Sequence, residues 1–147
     1  MSLIIRPLSA GDRAGWDALW QGYLRFYEED LPDEVTEIVF QRLLDPAEPM
    51  VALVAEREGV LLGLVHCVFH RGTWSVSDVC YLEDLFTAPE ARGQGVGRGL
   101  IEAVYELARA RGVGRVYWVT QEGNKTAQAL YEKLAERADF IQYRKSL

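Results

Sequence analysis

The chain is poor in the residues that build cross-links and metal cages: it has two cysteines and two histidines in 147 residues. Two thiols cannot make a disulfide framework. Cys67 and Cys80 both lie in apolar, strand-like runs, where a buried thiol is ordinary. His66 and His70 are four apart on one strand face with no further ligand cluster beside them, so no metal is expected. Positive charge is in deficit: 16 Lys and Arg against 22 Asp and Glu leave a net charge of −6. That excludes the basic surface that nonspecific nucleic-acid binding requires, and it suits a cationic partner. No apolar run is long enough to span a membrane, and Met1 to Pro7 lack the apolar stretch of a secretory signal. The expectation is a cytoplasmic protein without nucleic-acid or membrane partners. The length fits one domain, expected to cover residues 1–147, and 49% apolar with 26% charged residues are globular values.

Leu3 to Arg6 reads as a short strand ended by Pro7. Ser9 and Asp12 mark a helix start. Trp16, Leu19, Trp20, Tyr23 and Tyr27 then recur at helical spacing, as a core-facing stripe does. Asp33 and Glu34 open a second helix that Asp45-Pro46 closes. Met50 to Glu56 and Val60 to Phe69 flank Arg57-Glu58-Gly59 as an antiparallel hairpin. Val79 to Thr87 is a further strand. A third helix buries Val96, Leu100, Val104, Leu107 and Ala108 and stops at Gly112. Val113 to Val119 reads as a strand, Asn124 begins a fourth helix, and Phe140 to Arg144 reads as a terminal strand. This order predicts an α/β layer whose mixed sheet is antiparallel in its N-terminal part. A strand–helix–strand crossover follows in the C-terminal part, and four helices flank the sheet.

What is abundant is glycine, at one place. Glycines 93, 95, 97 and 99 follow the strand ending at Thr87 and precede the third helix. A glycine-rich turn that opens a helix exposes unpaired N–H groups beside the positive end of the helix dipole, which is a seat for phosphate. The spacing is neither a dinucleotide fingerprint nor a Walker A loop. It is R-x-x-G-x-G, from Arg92 through Gly95 to Gly97.

With this loop, and with N-x-x-A-x-x-L-Y from Asn124 to Tyr131, the chain resembles the GNAT superfamily of N-acetyltransferases. The look is nearest to the branch acetylating polyamines, histones and D-amino acids. The element order resembles the GNAT fold over essentially the whole chain. The resemblance implies that acetyl-CoA is bound by Arg92, Gly93, Gln94, Gly95, Val96, Gly97 and Arg98 at its pyrophosphate. It implies that the backbone of Leu85, Phe86 and Thr87, with Asn124, holds the pantetheine arm. An N–H near Leu85 would meet the thioester carbonyl. Tyr131 would serve the leaving sulfur as general acid. A phenol of pKa about 10 can protonate or hydrogen-bond a thiolate whose acid lies near about 8.5.

Glu83 and Asp84 sit in the apolar run from Cys80 to Phe86, where an unpaired buried carboxylate is costly, and strand alternation puts them on opposite faces. The Leu82-Glu83-Asp84-Leu85-Phe86 run is similar to the polyamine acetyltransferase strand, which implies Glu83 as general base. A glutamate near pKa about 4.3 and an alkylammonium near about 10.4 are far apart, so a water relay is favoured. For the acceptor, the candidates are Tyr27, Glu28, Glu29, Asp33, Trp74 and Asp84. The acidic tract around Pro32 reads either as a solvated loop or as an attractor for a primary amine on a small molecule or basic peptide. Direct attack without an acyl-enzyme is expected. The competing reading is a catalytically silent acyl-CoA-binding sensor or scaffold. The resemblance and the aromatic residues also make a homodimer an expectation. One departure from the resemblance stands out: the turn after the fourth helix is Ala135-Glu136-Arg137 instead of Gly-Phe.

Overall fold

The computed structural model describes residues 2–147. Five strands lie in the order β1 (Ile4–Pro7), β2 (Met50–Arg57), β3 (Val60–His70), β4 (Val79–Thr87) and β5 (Val116–Tyr117). The first four pair antiparallel, and β4 pairs parallel with β5. The helices are α1 (Arg13–Phe26), α2 (Asp33–Leu44), α3 (Val96–Ala110) and α4 (Lys125–Leu134). The mixed sheet with four helices is as the sequence predicts.

The β2–β3 turn is Glu58-Gly59, both at positive φ of 53° and 80°, which matches the right-handed twist of a tight hairpin. Ser9 and Asp12 enclose a single short turn in which the Ser9 N–H donates to Asp12 Oδ2 at 2.8 Å, and α1 begins one residue later. α1 covers one face of the sheet with Trp16, Leu19, Trp20 and Leu24 buried. α3 covers the other, with Val96, Leu100, Ile101, Val104 and Ala108 inside. Gly63 on β3 lets α3 sit this close: a Cβ there would lie 2.7 Å from Val96 Cγ1 and 3.0 Å from the Phe86 carbonyl oxygen.

The faces of β3 can be told apart residue by residue. Gly63 touches α3, and Phe69 lies under the Arg111 guanidinium at the end of α3, 4.4 Å away. His66 instead packs on Trp16 and Trp20 of α1. β4 follows β3 until its register shifts: His66 is opposite Asp84, but Cys67 is opposite Leu82. Glu83 is the extra residue of a β-bulge, and the strand changes faces there. Leu82 shares the α3 side with Cys67, whereas Asp84 and Phe86 share the α1 side with His66 and Leu64.

Two expected strands differ. Val113–Val119 pairs only at Val116–Tyr117. Phe140–Arg144 forms no strand, and Phe140, Ile141 and Tyr143 are 85%, 80% and 88% exposed. The sheet ends at β5, so an isolated extended segment has no neighbour to satisfy its backbone.

Candidate active site

The glycine loop is built by backbone conformation. Gly93 and Gly95 have φ of 77° and 82°, which side-chain-bearing residues resist, and Gly95 caps α3. The first amide of α3 to reach a main-chain acceptor is that of Gly99, bonded to the Gly95 carbonyl at 3.0 Å. Among the described residues, the N–H groups of Gly93, Gln94, Gly95, Val96, Gly97 and Arg98 have no hydrogen-bond acceptor. Six adjacent donors at a helix N-terminus make an anion site. The side chains around them are braced elsewhere. Arg57 Nη1 donates to Gln94 Oε1 at 2.8 Å, and Arg92 Nε donates to the Thr87 carbonyl at 3.3 Å. Arg98 pairs with Glu102 at 2.7 Å. Arg57 is a bracing residue the sequence did not single out, because a contact 37 positions away leaves no local pattern.

Beside the loop the sheet splits. β5 pairs with β4 only at Cys80 and Tyr81, so from Leu82 to Thr87 the second edge of β4 has no strand partner. The Thr87 hydroxyl and Leu130 of α4 both border Gly97. A cleft therefore runs from the loop along Leu85–Thr87, with α4 as its opposite wall. Asn124 caps α4, accepting the Ala127 N–H at 3.3 Å. A separate groove of about 700 Å³ between α1 and the β2–β3 turn reaches Phe86 and Arg92. Its lining includes neither Glu83 nor Tyr131, so it adjoins the cleft and does not contain it.

Phenols and carboxylates converge at the bulge. Asp84 is buried and accepts from His66 Nδ1 at 2.9 Å, while the adjacent Glu83 is only partly covered. Partial burial, and then the neighbouring Asp84 charge, raise the Glu83 pKa above the ordinary carboxylate value. Tyr23 of α1 and Tyr27, which caps that helix, stand beside Asp84. Burial and that charge push both phenols up, Tyr23 far up. Their rings are 5.0 Å apart, and Tyr27 is also close enough to influence Tyr131. Tyr131 packs edge-on against Trp118 at 5.4 Å, and burial raises its pKa. It keeps its proton at neutral pH and can offer an O–H. Full transfer to a thiolate is correspondingly uphill.

The structure does not bring every candidate to this point. Glu28 and Glu29 close α1, their N–H groups bonding back to the Arg25 and Leu24 carbonyls, and both are exposed. Asp33 is exposed at the start of α2. Trp74 is 89% exposed on the β3–β4 loop and stacks on no aromatic ring among the described residues. The acidic tract is a solvated helix connection, and Asp33 answers the dipole of α2.

The model of the acetyltransferase (GNAT) family matches residues 16–135. The chain belongs to the GNAT family. As a GNAT protein it is an N-acetyltransferase. It is 35% identical over 146 residues to the D-amino-acid N-acetyltransferase HPA3 of Saccharomyces cerevisiae, covering 98% of this chain and 91% of that one. A thialysine N-epsilon-acetyltransferase of Bos taurus is 35% identical over 97 residues, covering 66% and 52% of the two chains. In fold, the aminoglycoside acetyltransferase AAC(6')-Iy, solved with a CoA-linked bisubstrate analogue, superposes with a TM-score of 0.85 over 100% of both chains at 24% identity.

Proposed function

We propose that this GNAT enzyme moves the acetyl group of acetyl-CoA to a primary amine by direct attack, the acceptor being a polyamine, a diamine, an amino acid or a basic peptide. One observation carries the reading: six free amides and an unpaired strand edge open on the same cleft. The amides from Gly93 to Arg98 clasp the diphosphate of the donor. The main chain of Leu85, Phe86 and Thr87 pairs with its amide-bearing arm, as a missing strand would, and Asn124 borders that arm. Tyr131 offers its O–H to the sulfur. Because burial raises its pKa, it acts first as a hydrogen-bond donor to the developing thiolate.

Glu83 takes the proton from the attacking amine through water. Its partial burial raises its basicity, which narrows the gap to the ammonium. Tyr27 and Asp84 line the acceptor side. The names of the relatives support an amine acceptor, since they include enzymes for D-amino acids and for thialysine.

The decisive experiment measures thiol release from acetyl-CoA against polyamines, amino acids of both hands, basic peptides and aminoglycosides. Amine-dependent release is expected. Tight acetyl-CoA binding with no release across the panel would replace this reading with that of a silent acyl-CoA sensor.

We also propose a homodimer. Phe140, Ile141 and Tyr143 are exposed after Leu134, and β5 leaves the sheet an open edge. Light scattering of the full chain tests this, and a monomer at all concentrations would remove it. The free thiols of Cys67 and Cys80 fit a cytoplasmic setting.

A further inference from the structure

His66 is 2% exposed and lies on the acceptor side of the cleft, and the proposed chemistry gives it no task. The indole Nε1–H of Trp16 can only donate, and it faces His66 Nε2 at 3.0 Å. That nitrogen must therefore be bare. The proton of the neutral ring is then on Nδ1, which faces Asp84 Oδ2 at 2.9 Å. A second ring proton would set two donors against each other at Nε2. Trp16 is itself fixed: it is fully buried, 4.9 Å from Phe40 and 5.8 Å from Trp20. The result is a one-way chain from α1 through β3 to β4.

We propose that Trp16 and His66 are positioning residues that hold the Asp84 carboxylate in one orientation at the cleft, so that it receives the cationic nitrogen of the acceptor. This rests on the acetyltransferase reading and assigns the acceptor side of that site. The geometry supports it from three directions. The bulge at Glu83 turns Asp84 to the α1 side, where His66 waits. Asp84 keeps 12% of its side chain accessible, so it is anchored from behind without being sealed. The groups that face it are His66 from β3, Glu83 from β4, Tyr23 from α1 and Tyr27 from the cap of α1. The phenols hold their protons, so among the described residues no lysine or arginine pairs with Asp84, and an amine can.

The test uses four variants and two readouts. His66→Leu removes the donor to Asp84 and should raise the acceptor KM by about ten-fold or more, the effect of losing a hydrogen bond to a charged group. The KM for acetyl-CoA should stay within about two-fold. His66→Asn can place an amide N–H where Nδ1 lies and should recover most of the loss. His66→Gln places its amide at the Nε2 position and should not. Trp16→Phe should give a smaller rise of the same kind. Equal losses in both KM values and in kcat, or His66→Asn no better than His66→Leu in a folded protein, would overturn the assignment.

The second readout needs no turnover. Nitrogen NMR of the His66 ring should show Nδ1 as the protonated nitrogen and Nε2 bare. A ring that carries its proton on Nε2 overturns the proposal. A parent enzyme that released no thiol with any amine would count against the acetyltransferase reading alone, and the ring spectrum would still decide this one.

Discussion

The two ends of the molecule are built to different standards. Every outright buried residue among those described lies between Leu8 and Ala108. From residue 109 onward none is buried, although that stretch supplies β5, α4, Asn124 and Tyr131. The first part is a four-stranded antiparallel core with a helix pressed on each face. The second is a thin wall leaning on it through Trp118, Leu130, Tyr131 and Leu134, with the Tyr105 hydroxyl donating to the Leu134 carbonyl at 2.8 Å. The difference teaches where the cleft comes from: β5 stops pairing after Tyr117, so a well-packed strand is left with a bare edge. A site needing two walls and a gap has one wall fixed by burial and the other free to close on what it holds.

The comparison should break most visibly in stability. Leu100→Ala, in the fully buried α3 interface, should cost about 3–5 kcal/mol in denaturant unfolding. Leu134→Ala, partly buried at the end of α4, should cost about 1 kcal/mol. Similar losses would mean that the C-terminal wall is as firmly packed as the core.

Next comes Tyr131, the wall's chemical contribution. Tyr131→Phe should lower kcat by about a hundred-fold, with acetyl-CoA affinity nearly unchanged in calorimetry. Unchanged turnover would take the phenol out of the reaction. Gly95→Val tests the loop where the parts join. Its φ of 82° would strain any β-branched residue, so CoA affinity should fall about ten-fold, and retained affinity would reduce the loop to a turn.

The pH profile examines the core wall alone. Glu83 must be ionised to act, and its pKa is raised first by burial and second by Asp84. The acidic limb of kcat/KM should therefore lie above the ordinary carboxylate value of about 4.3. Activity is present above the limb and lost as pH falls through it. Asp84→Asn removes the second cause, so the limb should move down, though not fully, because burial remains. An unmoved limb would detach Glu83 from the profile.

The smallest effect contrasts two helix ends. α1 and α3 both finish with paired bonds from the two residues that follow the cap. α3 uses Gly112 at φ 70°, but α1 uses Glu28 at φ 55°. Glu28→Gly should raise stability by about 0.5–1 kcal/mol in thermal unfolding, and a loss would show that the glutamate has a favourable contact there.

Much of this could be read from local pattern. The hairpin, the four helices, the glycine loop and the cap at Asn124 each depend on residues within a few positions of one another. The limits of β5 could not, because a run such as Val113 to Val119 looks like a strand whether or not an edge is available to pair with it. Phe140 to Arg144 failed for the same reason. His66 was visible only as a histidine in an apolar run. Its meaning depends on a cross-strand register and on an indole 50 residues earlier. Trp16 fits the helical stripe, and nothing in that spacing distinguishes its N–H from that of any other core indole.

The bulge at Glu83 works like an inserted letter in a message read two symbols at a time. Upstream of it, even-numbered residues of β4 belong to the α3 layer, and downstream they belong to the α1 layer. Pairing Glu83 as an ordinary ladder residue opposite His66 would send the Asp84 carboxylate into the hydrocarbon beneath α3 and drive the Phe86 ring toward the phosphate end of the cleft. Deleting Glu83 would instead keep Leu82 and Asp84 opposite Cys67 and His66, leaving both layers in place and removing only the kink and one carboxylate. The layers of the downstream strand are thus set by which residue is left out of the ladder.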